Sequence, residues 1–206
     1  MTLRGVTYQG PPIEDFSLLD GVPPELGDIL IQINGFIAYG GGLHVRGLCE
    51  EPFWHSLGRY REGEMALRAL FPNVQHDDIP FAQDYLGNQF LLREEAVWRL
   101  RADTGEARLM EADLPSFFGR AREDAVGYLS LDLLARHHTE NGPLEPGELV
   151  HTMPPPALKP DDRDVALRAV PVANAVSFLA AFSKQIRDIP DGTQVNLKLL
   201  DPDASR

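Results

Sequence analysis

Two short apolar runs separated by turn-forming residues constrain the fold of this chain more than any other feature. Ile79–Ala82 and Gln89–Leu92 flank the turn Asp84–Asn88, whose glycine and asparagine favour positive φ angles. β-forming residues on both sides of such a turn predict a β-hairpin. Asp84 and Asn88 are interpreted as turn residues, because such side chains bond to nearby backbone; a functional role for the pair is the alternative.

A second hairpin is predicted directly after the first. Ala96–Arg101 connects through the turn Asp103–Gly105 to Glu106–Met110, with Trp98 alternating with Leu100 as a core residue. Because strands joined by short turns run in opposite directions, two successive hairpins predict an antiparallel sheet.

Apolar residues at helical spacing predict the helices. Asp113 is a predicted N-cap, and the Pro23-Pro24 pair opens a helix that Asn34-Gly35 ends. The predicted helices span residues 24–33, one or two segments around 62–71, 113–120, 123–137 and 172–186. The inward-facing residues predicted for 123–137 are Val126, Leu129, Leu133 and Leu134. Helices clustered beside a hairpin sheet predict an α+β fold with the helices packed on one face.

The other segments are assigned by their turn and strand residues. Leu43–Leu48 and Gln194–Leu199 are predicted strands. Residues 1–22 are an irregular or single-strand lead-in, and the proline-rich segment 147–164 is a predicted irregular connection. Gly40–Gly42 is a turn, because it lacks the Gly-Lys-Ser/Thr of a phosphate-binding loop.

The charge balance bears on the partners of this protein. The 206 residues carry 31 acidic and 19 basic side chains, a net charge of −12. This argues against a nucleic-acid partner, because such binding depends on basic residues that displace counterions. It suits a basic protein partner, whose approach an acidic field accelerates. The alternative is that the acidity serves solubility alone.

The same composition predicts the compartment. No apolar run is long enough to span a membrane, and the first residues lack the apolar core of a secretory signal. The single cysteine, Cys49, fits a reducing compartment. We therefore expect a cytoplasmic protein without a membrane partner.

No catalytic constellation is evident along the chain. The six histidines are scattered, and none forms the His-Glu-x-x-His spacing of a metal site. Glu50-Glu51 would raise the pKa of the Cys49 thiol, which disfavours a nucleophile. His76-Asp77-Asp78 has the groups for a cation site, although acidic clusters before strands are more often solvated loops. We therefore expect no catalytic residue, cofactor or metal.

An aromatic residue among acids is the candidate partner-binding feature. Trp54 follows Glu50-Glu51 in an irregular segment, and tryptophan is enriched at interface hot spots. Burial of Trp54 is the competing interpretation. The predicted partner-binding residues are Glu50, Glu51, Trp54, Asp77 and Asp78.

The order of these motifs resembles the SUKH superfamily, the bacterial toxin-immunity proteins related to a yeast cell-wall-synthesis regulator. The similarity lies in a helix closing in Asn34-Gly35, the hairpin sequence Phe81-Ala-Gln-Asp-Tyr-Leu-Gly-Asn-Gln-Phe90 and the Thr104-Gly-Glu106 turn. It implies one domain over residues 1–206, with a core at about 20–135 and a helix and strand extension at about 165–200. It also implies a bent antiparallel sheet.

The resemblance implies a non-catalytic immunity protein. Such a protein binds and neutralises a cognate bacterial toxin, here expected to be basic and of the nuclease type. A regulatory or scaffold module that binds other proteins is the alternative, and a small hydrolase or nucleotide-binding enzyme using the segment His76–Asp78 is a third hypothesis.

Overall fold

A computed structural model describes residues 5–63, 65–158, 165–190, 192, 193 and 195 of the chain. It confirms the predicted α+β class, with a seven-stranded antiparallel sheet, a separate two-stranded sheet and several helices. No helix among these residues has the length and apolar character that a membrane crossing requires.

The large sheet is a meander, because each strand pairs with the next one along the chain. All neighbouring pairs are antiparallel, so the first and last strands form the two edges. The seven strands are β1 (Tyr8–Gln9), β2 (Phe36–Ala38), β3 (Leu43–Val45), β4 (Ile79–Asp84), β5 (Gln89–Arg93), β6 (Ala96–Leu100) and β7 (Ala107–Glu111).

The first predicted hairpin is confirmed as β4 and β5, and a buried carboxylate holds its turn. Asp84 Oδ1 accepts hydrogen bonds from the backbone N–H groups of Leu86 and Asn88, both at 3.0 Å. Asp84 Oδ2 accepts from the Asn88 amide and from Arg99, both at 2.8 Å. Asp84 and Asn88 are therefore turn-forming residues, as predicted.

The second predicted hairpin is confirmed as β6 and β7. Its turn is closed by a hydrogen bond from Arg101 N–H to the Glu106 carbonyl at 2.8 Å, and Gly105 has a positive φ of 73°. Leu100 is fully buried, whereas Trp98 is partly buried beneath the guanidinium of Arg93, 4.5 Å from its ring centroid.

The helices agree with the sequence where their end signals are local. The predicted N-cap is confirmed, because Asp113 Oδ1 accepts from Ser116 N–H at 2.7 Å. The helices are α1 (Pro24–Gln32), α2 (Leu57–Arg61), α3 (Leu67–Leu70), α4 (Leu114–Glu123), α5 (Ala125–Leu129), α6 (Asp132–Asn141) and α7 (Val172–Ile186).

The prediction of one helix over residues 123–137 is wrong. Ser130 adopts a left-handed conformation with a φ of 56°, which separates α5 from α6. Because the break rotates the two halves relative to each other, a single apolar stripe does not describe them. Val126, predicted to face inward, is exposed, whereas Leu129 and Leu134 are buried.

The prediction of an irregular connection over residues 147–164 is also wrong in its first part. Here β8 (Glu148–Met153) pairs antiparallel with β9 (Ala166–Pro171), and neither strand was predicted. Val150 N–H donates to the Tyr85 carbonyl at 2.8 Å, which ties this small sheet to the β4–β5 turn.

Smaller differences concern the lengths of elements. The strand predicted over Leu43–Leu48 ends at Val45, and β2 was not predicted. Among the described residues of the segment 62–71, only α3 is helical, and α2 precedes that segment. The lead-in contains the short edge strand β1. Of the strand predicted over Gln194–Leu199, only Val195 lies within the described residues, so the prediction is not tested.

Both faces of the sheet are covered by apolar side chains. Along β5, Phe90 and Leu92 belong to one buried cluster, and Leu91 belongs to a second. Alternate residues of a strand point to opposite faces, so the clusters lie on the two sides of the sheet. The first includes residues of α1, α4, α5 and α6, and the second includes residues of α3 and α7. Helices therefore pack on more than the one face expected.

Replacing Phe117 by alanine should lower the free energy of unfolding by about 3–5 kcal/mol, because it leaves a cavity in the first cluster. Phe117 is fully buried on α4, with its ring centroid 4.9 Å from that of Phe90 and 5.6 Å from that of Phe81. Urea unfolding followed by circular dichroism measures the change. Phe16→Ala removes the same side chain from a surface position and should stay within about 0.5 kcal/mol of wild type; equal losses in both variants would contradict the assignment of the core.

Candidate functional site

A fully buried arginine links three strands of the large sheet. Arg46 directly follows β3 and donates to the Pro80 carbonyl at 2.7 Å and to the side-chain oxygens of Gln83 and Gln89 at 2.9 and 2.7 Å. Its guanidinium lies 3.9 Å from the ring centroid of Tyr60. Among the described residues, no ion pair involves Arg46. Burial lowers its pKa to about 10, so the group remains a cation at neutral pH.

A chain of hydrogen bonds, here called the histidine relay, continues from this arginine through Gln83, His44 and His55 to the Asn34 carbonyl. The Gln83 amide donates to His44 Nδ1 at 3.1 Å, and His44 Nε2 lies 2.9 Å from His55 Nδ1. His55 Nε2 lies 2.9 Å from the Asn34 oxygen. Each Nδ1 accepts a hydrogen bond, from Gln83 in His44 and from His44 in His55, so each imidazole is neutral with its proton on Nε2, and His55 donates that proton to the Asn34 carbonyl.

The electrostatics of the relay agree with neutral imidazoles. Burial is the largest cause that lowers the pKa of both histidines, and the charge of Arg46 adds to it. The pKa of His55 falls to about 4, and that of His44 falls well below its ordinary value. Both rings are therefore neutral near neutral pH.

The relay supports loop 49–56, the segment that contains three of the predicted partner-binding residues. Gly47 N–H donates to the His55 carbonyl at 2.9 Å, and Leu57 N–H donates to the Gly47 carbonyl at 2.8 Å. The Asn34 side chain holds Leu48 by two hydrogen bonds, of 2.6 and 3.0 Å. The base of the loop is thus fixed to the buried network.

Glu50 and Glu51 lie on the exposed side of loop 49–56. Glu50 forms an exposed ion pair with Arg59 at 3.2 Å, and Glu51 accepts from Phe53 N–H at 2.9 Å. The Arg59 guanidinium also lies 5.2 Å from the Phe53 ring centroid. The loop therefore presents two carboxylates and one aromatic ring beside a single basic group.

Trp54 is partly buried, so burial describes one part of its side chain and the partner-binding interpretation concerns the exposed part. Its ring centroid lies 4.9 Å from that of Tyr8 and 5.3 and 5.5 Å from those of His44 and His55. The indole covers the histidine relay, and its exposed part is available to a partner.

The other two predicted partner-binding residues lie in a different segment, the turn before β4. The Asp77 side chain is fully exposed, with its carboxylate 2.9 Å from His76 Nδ1. The Asp78 carboxylate is buried and binds Arg93 through both oxygens at 2.8 Å while accepting from Gln75 N–H. Of this pair, only Asp77 presents its carboxylate to solvent.

Of the groups considered for catalysis and metal binding, the structure brings His44 and His55 into contact, in the histidine relay. Burial and the neighbouring Glu50 and Glu51 raise the pKa of the Cys49 thiol to about 11, which confirms the expected direction. Among the described residues, no group of three His, Cys, Asp or Glu side chains is placed to hold a metal ion.

Sequence analysis missed the buried polar network. His44 and Arg46 occupy alternate positions around Val45, and Gln83 and Gln89 flank the predicted hairpin turn. The signal that could have indicated the buried polar network is the presence of these polar residues within otherwise apolar strands. Their mutual contacts depend on the pairing of β3 with β4 and of β4 with β5.

Comparisons with known proteins define the fold class only. No family model matches the chain, and no curated protein matches it. A solved structure that it resembles is the crystal structure of Atu4351 from Agrobacterium tumefaciens, with a TM-score of 0.56 and 13% sequence identity over 85% of each chain. At that identity the likeness shows a shared fold alone.

Replacing Gly47 by alanine should destabilise the protein by about 1–3 kcal/mol, because the methyl group overpacks the relay. A Cβ at Gly47 would lie 2.6 Å from His55 Nε2 and would also meet the Asn34 carbonyl oxygen. Gly119→Ala is the control, because nothing lies within 4 Å of its added methyl group in α4. Gly119→Ala should raise the free energy of unfolding by about 0.5–1 kcal/mol, because alanine favours a helix more than glycine does. A Gly47→Ala variant as stable as wild type in urea unfolding would contradict the packing described.

Stability should fall as the pH drops from about 6.5 towards 4. Each relay histidine has a lower pKa in the folded chain than in the unfolded chain, so the unfolded chain binds more protons in this window. Each group then contributes a slope of up to about 1.4 kcal/mol per pH unit, and its stabilisation is complete above the unfolded pKa.

Urea unfolding at several pH values measures this slope. His55→Gln should reduce it, whereas Phe16→Ala, an exposed change that removes no titrating group, should keep it. The slope must be compared with that of wild type, because burial also raises the pKa of Asp84. That shift increases stability as the pH falls, opposite to the effect of the histidines. Equal slopes in wild type and His55→Gln would refute the role of this imidazole.

Proposed function

We propose that this protein is an immunity protein that binds and neutralises a cognate bacterial toxin without catalysis. The toxin is expected to be basic and of the nuclease type. Loop 49–56 on its buried support is the observation that carries the proposal, because it offers exposed carboxylates and aromatic surface on a rigid base. Rigid presentation limits the entropy lost on binding.

The charge of the chain supports a basic partner. A net charge of −12 accelerates the encounter with a basic protein, and Glu50 and Glu51 give loop 49–56 the same sign. A nuclease needs a basic surface to hold phosphates. An acidic inhibitor that covers that surface blocks substrate binding by occupation alone.

The predicted residues would contribute to toxin binding in different ways. Glu50, Glu51 and Asp77 would face basic groups of the toxin, and Trp54 would contribute its exposed edge. Asp78 would act through Arg93, with which it holds the turn that carries Asp77. An interface of about 800 Å² per partner is the size that a stable inhibitory complex needs.

The proposal also includes the cytoplasm as the compartment in which the protein acts. The lone Cys49 suits the reducing bacterial cytoplasm, where an immunity protein would meet an incoming toxin. The alternative, a regulatory or scaffold module, uses the same kind of surface but predicts stable complexes with housekeeping proteins instead of a toxin.

Co-expression with the toxin encoded by the neighbouring gene should rescue growth, and the two proteins should co-purify. Glu50→Lys combined with Glu51→Lys should slow association by about tenfold at low salt, with a smaller effect at high salt, because the change reverses the local charge. Stopped-flow fluorescence or surface plasmon resonance measures the rates.

The matched control is Glu106→Lys combined with Glu123→Lys. It changes the net charge equally, at exposed positions before β7 and at the end of α4. It also removes one exposed ion pair, from Glu106 to Arg108, as the first variant removes the pair of Glu50 with Arg59. Association of this control should stay near wild type.

Two results would decide against these assignments. If wild type neither rescues growth nor co-purifies with the toxin, the immunity function is wrong. If both double-lysine variants slow association equally, the charge acts through the whole protein and loop 49–56 is not the binding site.

A further inference from the structure

Two large apolar side chains are exposed together in one groove near the start of the chain. The N-terminal groove, defined as the space between residues 9–16 and residues 30–34, has a volume of about 330 Å³. Phe16 is 62% exposed and Ile31 is 56% exposed, and both line this groove. Exposed apolar groups that cluster in a concave site are characteristic of protein interfaces.

The surroundings of the N-terminal groove are acidic. Residues 5–45 include no lysine or arginine and contain five exposed acids, which are Glu14, Asp15, Asp20, Glu25 and Asp28. The Arg61 guanidinium lies against this segment at Gly21. The exposed Glu14 and Asp15 lie between the lining residues Ile13 and Phe16 and form an acidic rim of the groove. An apolar groove with such a rim is complementary to a segment that carries apolar and basic side chains.

Both walls of the groove are held in place by hydrogen bonds. Gly10 N–H donates to the Gly35 carbonyl at 3.0 Å, and the Asn34 amide donates to the Pro11 carbonyl at 2.7 Å. Asp15 Oδ1 accepts from Ser17 N–H at 2.9 Å, which caps the short helical turn that carries Phe16. The groove is therefore formed before any partner binds, which lowers the entropic cost of docking.

The groove adjoins loop 49–56 through Asn34. Asn34 bonds to Pro11 on the groove side and to Leu48 at the start of the loop. Tyr8 of β1 likewise packs against Trp54 of the loop. The groove wall and the base of loop 49–56 are therefore held by the same residue, Asn34, and adjoin each other in the fold.

We propose that the N-terminal groove docks a basic segment of the partner, with an apolar side chain of that segment placed between Phe16 and Ile31. Lysine or arginine side chains of the segment pair with the acidic rim. This inference rests on the proposed function and deepens it by naming the docking surface. A second copy of this chain is a poor occupant, because two identical acidic rims repel each other.

The first experiment uses the toxin from the neighbouring gene and full-length variants of this protein. Phe16→Ala combined with Ile31→Ala should weaken binding by at least about tenfold, because it removes both apolar contacts. Leu109→Ala is the matched control: this residue is 61% exposed on β7, at the opposite edge of the sheet, and its loss should change binding less than about twofold. Circular dichroism and urea unfolding verify that all variants fold.

If wild type binds the toxin and the Phe16/Ile31 variant binds equally well, the groove is not the docking surface, although the immunity function stands. If wild type does not bind the toxin, the immunity function is wrong. A second probe then tests whether the groove binds a basic segment. That probe is a synthetic peptide of alternating arginine and leucine, compared with a peptide that carries glutamate in place of arginine.

Nitrogen-15 chemical-shift mapping locates the peptide on the protein. Shifts confined to residues 9–34 that appear with the arginine peptide, and that are lost in the Phe16/Ile31 variant but kept in Leu109→Ala, support the groove as a basic-segment site. Shifts elsewhere, or equal binding of the glutamate peptide, overturn it. A concentration-dependent dimer that the Phe16/Ile31 changes abolish, seen by analytical ultracentrifugation, also overturns it, because the occupant is then a second copy.

Discussion

The structure depends on the solvation of one buried cation. Arg46 has no contact with water, and its charge is stabilised by oxygens of Pro80, Gln83 and Gln89 and by the ring of Tyr60. An uncompensated charge in a protein interior costs several kcal/mol, so the oxygens must all be in place. They come from β4 and β5, whereas the arginine follows β3. The requirement to solvate this charge therefore fixes the register of three strands at once.

The same network connects the interior to the proposed binding surfaces. The histidine relay runs from Gln83 to the Asn34 carbonyl, and the Asn34 side chain holds both the start of loop 49–56 and one wall of the N-terminal groove. The hydrogen bonds of this network restrict its side chains, because an alternative arrangement leaves more buried groups unpaired. The exposed acids and apolar side chains thus stand on a base with little freedom. Binding by such a surface costs little conformational entropy.

Sequence reasoning succeeded where the signals are local and failed where strands pair at a distance. The β4–β5 turn was predictable because Asp84 bonds to backbone groups within four residues. β8 was missed because its partner, β9, is more than ten residues away across a proline-rich connection. The helix over 123–137 was predicted as continuous because its apolar spacing persists through Ser130. In the structure Ser130 has a left-handed backbone, and its carbonyl accepts from the hydroxyl of Tyr85, a residue 45 positions away.

The candidate site likewise has features that the sequence predicted and features that only the tertiary structure revealed. Its acidity, the pair Glu50-Glu51 and the expected rise in the Cys49 pKa follow from composition and from adjacent residues. The burial of Asp78, the tautomers of His44 and His55, and the exposure of Phe16 and Ile31 were decided by tertiary structure. Each of these depends on which side chains meet after strands far apart in sequence have paired. By itself the sequence determined the α+β class, the hairpins and the sign of the surface charge; only the folded chain decided which charges are buried and which surface a partner reaches.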